Sequence, residues 1–132
     1  MTKEELINEC LKMPGSYLDY PFGPTTAVLK TAKGKMFAFL DYAKPQSIKK
    51  SCGADAPVSD GDIFINLKCE RALIDIFRAQ YKAVLPGYYD SSKIHWNTVI
   101  VDKDVPTNEL IKMIQHSFEM VTKTKLNKDK SE

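Results

Sequence analysis

The side chains best suited to chemistry are two histidines and three cysteines. His95 stands directly before Trp96, and this pair could bind a ligand or transfer a proton. General acid–base catalysis also needs a partner held within hydrogen-bond distance, and no spacing in the chain identifies one, so His95 is interpreted as a structural strand residue. Cys69 begins a predicted helix, where a thiol is made more acidic, but no Cys–His arrangement accompanies it. We therefore predict no catalytic residue.

The cysteines also fail to form a recognisable metal or disulfide pattern. Cys10, Cys52 and Cys69 are widely spaced and make neither a C-x-x-C pair nor a zinc spacing with His95 or His116. We expect free thiols, no metal and no cofactor. Glycine-rich phosphate loops, the H-E-x-x-H motif and the lipase elbow are absent from the sequence as well. The common enzyme classes therefore find no support.

A basic stripe is the candidate binding surface. At an advance of about 100° per residue, Arg71, Arg78 and Lys82 fall within about a quarter-turn of Lys68 on a predicted helix. Lys93 could lie nearby. Such a stripe can contact nucleic-acid phosphates, but long basic side chains also cover the margins of apolar faces. Both interpretations stay open.

Aromatic residues offer a second, weaker hypothesis. Trp96, Phe37 and Phe39 could form a platform on which bases stack. We favour core packing instead, and we predict that Trp96 and Phe118 belong to one core that joins the fourth strand to the last helix.

Composition limits the possible partners. The chain has 132 residues and a net charge of +2, and its end, residues 120–132, has four lysines against two acids. The body, residues 1–119, is therefore neutral, which argues against strong nonspecific nucleic-acid binding. Apolar runs are too short for a membrane span, and the N-terminus lacks an apolar signal core. We expect a cytoplasmic monomer with no membrane partner.

Hydrophobic periodicity predicts seven secondary-structure elements. Thr2 and Glu5 form a capping box at the first helix, while residues 17–24 and 44–61, rich in proline or glycine, are predicted as loops. The predicted elements are a helix ending at Met13, strands at 25–31, 35–42 and 62–67, a helix at 69–81, a strand at 95–101, and a last helix capped by Thr107.

These elements predict an α+β fold. We expect an antiparallel sheet of about four strands with helices packed on one face, in the order α-β-β-β-α-β-α. Short turns between the first strands are typical of an antiparallel meander. The whole chain, 1–132, is predicted as one domain, with a basic tail that frays from about residue 123 because the apolar period is lost there.

Several motifs carry a resemblance to a known family. They are Pro21-Phe22-Gly23, Asn66-Leu67-Lys68-Cys69, the block from Pro86-Gly87-Tyr88 to His95-Trp96-Asn97-Thr98-Val99, and Ser117-Phe118. The sequence resembles the MmcQ/YjbR-like family in these motifs and in their order. The resemblance implies a small cytoplasmic α+β protein with a fold similar to that of frataxin-like CyaY, and a proposed role in DNA binding. Ile94 stands where family members often carry a basic residue.

We therefore expect a weak DNA-binding module without sequence specificity. It would contact phosphates through the basic stripe and the tail lysines, and charge reversal at Arg71 and Arg78 is expected to leave the fold intact. A non-catalytic protein-interaction domain is the alternative. Frataxin-like metal handling is a third hypothesis, which rests on fold analogy alone and lacks an acidic cluster.

Overall fold

The computed structural model describes residues 1–88 and 93–126, which contain four helices and six strands. Residues 89–92, which belong to the motif block from Pro86 to Val99, and residues 127–132 of the predicted tail lie outside this description. The elements are α1 (Lys3–Leu11), β1 (Tyr17–Asp19), β2 (Ala27–Lys30), β3 (Met36–Tyr42), α2 (Pro45–Cys52), β4 (Ile63–Lys68), α3 (Arg71–Gln80), β5 (Val84–Pro86), β6 (Trp96–Ile100) and α4 (Thr107–Thr122).

The strands form one antiparallel sheet in the order β1-β2-β3-β4-β6-β5. The α+β class is confirmed, but the predicted number of about four strands is too low. β1 lies in the segment 17–24, which is predicted as a loop, and β5 lies between the predicted helix at 69–81 and the predicted strand at 95–101, where neither a helix nor a strand is predicted. Both are three-residue edge strands, too short for alternation to stand out, and an edge tolerates the proline that ends β5.

α2 lies within the segment 44–61, which is predicted as a loop. Pro45 stands in its first turn, where the missing N–H costs nothing. Ile48 is the buried residue among its eight, so no apolar stripe marks this helix in the sequence. The predicted order is therefore one helix short as well as two strands short.

One face of the sheet is covered by helices. A small cavity is lined by Leu67 of β4 and Val99 of β6 together with Phe77 of α3 and Met113 of α4. α4 also contacts β3, and α1 contacts β2, β3 and α4. We call this side the helix face. No helix in the described part of the chain is long and apolar enough to cross a membrane.

The opposite face of the sheet is also buried at its centre. Phe39 and Phe64 are 3% and 1% exposed, and the Tyr88 ring meets Phe64 edge-on at 5.3 Å. The Gly87–Tyr88 segment therefore covers this face. The last turn of α2 lies beside that segment, because Lys93 Nζ donates hydrogen bonds to both Gly87 O and Ser51 O. The prediction of helices on one face is thus incomplete.

A β-bulge at Phe37 joins α4 to the sheet. Leu29 pairs with Ala38 but Lys30 pairs with Met36, so Phe37 has no partner in β2. Its ring packs edge-on against Phe118 at 5.2 Å. The Ser117 hydroxyl donates to Phe37 O and accepts the Lys68 N–H at 2.9 Å. Ser117-Phe118 therefore bridges β3 and β4 just beyond their last paired residues.

Trp96 does not belong to this core. Phe118 is 5% exposed, whereas Trp96 is half-buried at the first residue of β6. It pairs with Lys68, the last residue of β4, at one end of the sheet. The predicted core is thus confirmed for Phe118 and wrong for Trp96.

Asp41 anchors the connection between β1 and β2. Its carboxylate accepts hydrogen bonds from Thr26 at 2.7 Å, Thr25 at 3.0 Å and the Tyr42 N–H at 2.7 Å, and Lys3 lies 3.3 Å away. Burial alone raises the pKa of this carboxyl, but the hydrogen bonds and Lys3 outweigh burial and hold the pKa below its ordinary value of 3.8. Asp41 is therefore ionised at neutral pH.

Candidate nucleic-acid interface

Arg78 fastens α3 to the start of β6. Its Nε–H donates to Asn97 Oδ1 at 2.8 Å, and its Nη2 donates to the carbonyls of Lys93 and Trp96, the latter at 3.3 Å. The side chain is only 21% exposed, and its ion pair with the exposed Asp75 is long, at 3.8 Å. These contacts argue against the expectation that charge reversal at Arg78 leaves the fold intact, because three acceptors would lose their donor.

Lys93 joins three separate segments. Its Nζ donates to Gly87 O at 2.7 Å and to Ser51 O at 3.2 Å, which links the turn after β5 to the last turn of α2. Lys49 and Lys50 are exposed in that same last turn, where the negative end of the helix dipole favours cations. Burial raises the pKa of the neighbouring Cys52 thiol, and Lys93 and Arg78 oppose this rise.

Four cations thus lie on neighbouring segments, because Lys93 contacts both Arg78 and the last turn of α2, which carries Lys49 and Lys50. We call this group the α2–α3 basic surface, and it consists of Lys49, Lys50, Arg78 and Lys93. Sequence reasoning found Arg78 and Lys93 but missed the two α2 lysines, because it interpreted their segment as a loop. A proline at 45, one apolar residue at 48 and two lysines directly after it are consistent with a short helix that ends in basic residues. This pattern could have located the two lysines.

The other three residues of the predicted stripe lie apart from this surface. Lys68 is half-buried beside Trp96 at the end of β4. Arg71 is exposed at the first residue of α3, and Lys82 is exposed beyond its end, where its N–H donates to Asp104 Oδ2 at 2.6 Å. Glu70 and Asp75 stand between Lys68 and Arg78 in the chain, and Asp104 lies at the Lys82 N–H, so the predicted stripe is not a continuous positive surface.

Asn66 and Thr98, which lie in two of the family motifs, hold Tyr88 on the sheet. Asn66 Nδ2 donates to Tyr88 O at 3.1 Å, Thr98 Oγ1 donates to Asn66 Oδ1 at 2.6 Å, and the Tyr88 N–H donates to Thr98 Oγ1 at 2.9 Å. All three residues are at most 5% exposed. Pro86 pairs with Asn97, the acceptor of Arg78. These motif residues therefore position Lys93 rather than offer reactive groups.

The Pro21-Phe22-Gly23 motif lies at another place, in the connection between β1 and β2. Phe22 is 66% exposed. Gly23 adopts φ 121°, a conformation that side-chain-bearing residues rarely take. The motif therefore forms a turn with an outward-facing aromatic ring, and it does not contribute to the basic surface.

The histidines and cysteines form no catalytic arrangement within residues 1–88 and 93–126. His95 is exposed, and its carbonyl accepts the Cys69 N–H. The Nε2 of His116 accepts the Glu70 N–H at 3.0 Å, and His116 lines the small cavity on the helix face.

Burial keeps the thiols protonated at neutral pH. It raises the pKa of Cys69 to about 11, with Glu70 adding to the shift and Arg78 opposing it, and it raises the pKa of Cys10 to about 12. An activated Cys69 thiolate is therefore not supported. All three cysteines are free thiols, and in the described ranges no group of three or more His, Cys, Asp or Glu side chains could hold a metal ion.

Fold and site together define a small α+β protein with one six-stranded antiparallel sheet and a cationic surface. A family model described as YjbR matches residues 11–120, so the chain belongs to the YjbR family. It is 27% identical over 124 residues to the Bacillus subtilis (strain 168) protein YyaQ, and the match covers 91% of this chain and 98% of YyaQ.

Solved structures agree with the fold. A crystal structure of a Pseudomonas syringae protein gives a TM-score of 0.73 at 22% identity, and the match covers 91% of this chain and 98% of that protein's chain. A crystal structure of a Deinococcus radiodurans protein with a DUF419 domain gives a TM-score of 0.72 at 27% identity, and the match covers 96% of this chain and 83% of that protein's chain.

Proposed function

We propose that the chain binds DNA weakly, through backbone phosphates, at the α2–α3 basic surface. The observation that carries the proposal is the pair of contacts made by Lys93, one from its Nζ to Ser51 O and one from its carbonyl to Arg78. These contacts set the helix turn that carries Lys49 and Lys50 next to two further cations. The hydrogen-bond acceptors of Arg78 and Lys93 are neutral oxygens, and Asp75, in a long ion pair with Arg78, offsets part of their charge.

The charge available limits the affinity. Four cations opposed by Asp75 can neutralise about three phosphates, which gives a slope of log affinity against log salt near about −3 for duplex DNA. Affinity is then no better than the nonspecific range, roughly 10⁻⁴ to 10⁻⁶ M at physiological salt. The four members of the surface are cations that suit backbone phosphates, so we expect sequence preference to be slight.

The test is a fluorescence-anisotropy titration with duplex DNA. The variant is Lys49→Glu with Lys50→Glu, both at exposed positions. The matched control is Lys12→Glu with Lys112→Glu, whose side chains are 66% and 67% exposed on α1 and α4. Both double variants change the net charge equally.

We expect the α2 variant to bind at least about tenfold more weakly at low salt and the control to bind almost as well as wild type. Equal weakening of the two variants would mean that only net charge matters. No binding by the wild-type protein at low salt would refute the proposal.

A protein-interaction domain is the second candidate function. Phe22 supports it, because a ring that is 66% exposed at a turn anchored by Thr25 and Thr26 on Asp41 suits insertion into a partner's pocket. Copurification of a partner that is lost in Phe22→Ser, in nuclease-treated extract, would favour this function. Frataxin-like metal handling stays a hypothesis by fold analogy, which an iron titration tests.

We propose further that the fold is CyaY-like and that the protein acts in the cytoplasm as a monomer. The antiparallel sheet with helices on its helix face supports the first proposal, and three free thiols suit a reducing compartment. Superposition of an experimental structure on CyaY, cell fractionation and light scattering test these three points in turn.

A further inference from the structure

Five side chains form one row across five neighbouring strands of the sheet. Tyr17 of β1 pairs with Lys30 of β2, Lys30 pairs with Met36 of β3, and Lys68 of β4 pairs with Trp96 of β6. Paired residues of adjacent strands point to the same face. Their order across the sheet is aromatic, cation, apolar, cation, aromatic.

The bulge completes this row between β3 and β4. The pairing of Ala38 with Leu67, extended by one residue, sets Lys68 opposite Phe37. The Phe37 ring is turned to Phe118 on the helix face, so Met36 is the β3 neighbour of Lys68 on the opposite face. We call Tyr17, Lys30, Met36, Lys68 and Trp96 the sheet row.

The sheet row lies at one end of this face, where the described residues leave each of its members at least partly exposed. Tyr17 is 43% exposed and the other four members are half-buried. Phe64, towards the centre of the same face, is 1% exposed. With about 4.8 Å between strands, four steps give the row a length of about 19 Å.

We propose that the sheet row binds single-stranded DNA, with bases stacked on Trp96 and Tyr17 and phosphates near Lys30 and Lys68. Alternating aromatic and basic side chains on a sheet suit an unpaired strand, because its bases expose their faces while its backbone carries the charge. A duplex keeps its base faces stacked inside and cannot use the aromatic members.

The inference rests on the proposed function and deepens it. The row reaches the α2–α3 basic surface at Trp96, whose carbonyl accepts a hydrogen bond from Arg78. We therefore expect a strand stacked on Trp96 to continue towards the cations of that surface.

Asp19 opposes a phosphate at this row. Its carboxylate accepts a hydrogen bond from Lys30 at 2.7 Å and is 45% exposed. The hydrogen bond from Lys30 is the main cause that lowers the pKa of Asp19, so this carboxylate is ionised at neutral pH. A phosphate must compete with it, and Asp19→Asn should therefore tighten binding.

The experiment uses the fluorescence of Trp96, the single tryptophan of the chain. The full chain is titrated with an oligothymidine of about eight nucleotides, within the roughly 4–16 nucleotides bound by other single-strand modules. A duplex of the same length, an oligouridine and inorganic polyphosphate are the other probes. Tyr17→Ser is compared with Tyr20→Ser, since these tyrosines are 43% and 42% exposed.

We expect oligothymidine to quench Trp96 and to bind more tightly than duplex or polyphosphate. Tyr17→Ser should weaken this binding at least about fivefold, Tyr20→Ser should leave it unchanged, and Asp19→Asn should tighten it. Equal affinity for single strand, duplex and polyphosphate with unchanged Trp96 emission would overturn the sheet row and leave the proposed function standing. Tighter binding of oligouridine would overturn the assignment to DNA. Absence of binding to every probe would overturn both proposals.

Discussion

Replacing Arg78 by Met is expected to destabilise the protein substantially. The change removes the donor of Asn97 Oδ1, an oxygen of a side chain that is 4% exposed, and also the donor of the Lys93 and Trp96 carbonyls. Leaving one buried acceptor unsatisfied costs about 1–3 kcal/mol. The two carbonyls lie nearer to solvent and add less, so the expected loss in unfolding free energy is about 2–4 kcal/mol.

The assay is urea denaturation followed by circular dichroism, with Arg71→Met as the matched control. Arg71 is exposed at the first residue of α3, so its replacement should change the unfolding free energy by less than about 0.5 kcal/mol. A loss for Arg78→Met as small as that of the control would refute the structural role. If the large loss is found, weak DNA binding by an Arg78 variant says nothing about a phosphate contact.

Three further predictions concern the fold. Ser117→Ala should cost about 1–3 kcal/mol in denaturation because it leaves the Lys68 N–H without its acceptor, and an unchanged midpoint would contradict the bridge. Asp41 has a lowered pKa in the folded state, so the stability that it contributes is present above about pH 4 and is lost as the pH falls. Asp41→Asn should flatten the acid limb of a stability–pH profile, and an unaltered limb would count against this. Phe118→Ala should cost about 3–5 kcal/mol and Trp96→Ala clearly less, since Trp96 is half-buried; equal losses would return Trp96 to the core.

The sequence predicted those elements that have a clear period. The first and last helices, the capping box of Thr2 and Glu5, and the central strands are confirmed, because each buries a regular set of side chains. Two helix ends are wrong: α1 ends at Leu11 rather than Met13, and Thr107 is the first residue of α4 rather than its cap, since Pro106 stands at the cap without a side-chain hydrogen bond. The missed elements bury too little to leave a pattern. Among the residues of α2 only Ile48 is classed as buried, and β1 and β5 have three residues each.

The candidate site was less predictable than the fold because it depends on contacts between distant parts of the chain. A helical projection placed Arg78 with Lys82, but its guanidinium turns to the carbonyls of residues 93 and 96. Lys93 likewise meets Ser51, and no spacing along the sequence indicates that contact. The half-exposed position of Trp96 follows from where β6 begins, a boundary that propensity fixes only within a few residues.

The salt dependence of duplex binding tests the central claim most directly. Anisotropy titrations between about 50 and 200 mM salt should give the wild-type protein a slope of log affinity against log salt near about −3. Each phosphate contact that is lost reduces the slope by about 1, so Lys49→Glu with Lys50→Glu should bring it to about −1. The Lys12→Glu and Lys112→Glu control should keep the wild-type slope. A slope that is the same in all three proteins, or near zero in the wild type, would contradict phosphate binding at the α2–α3 basic surface.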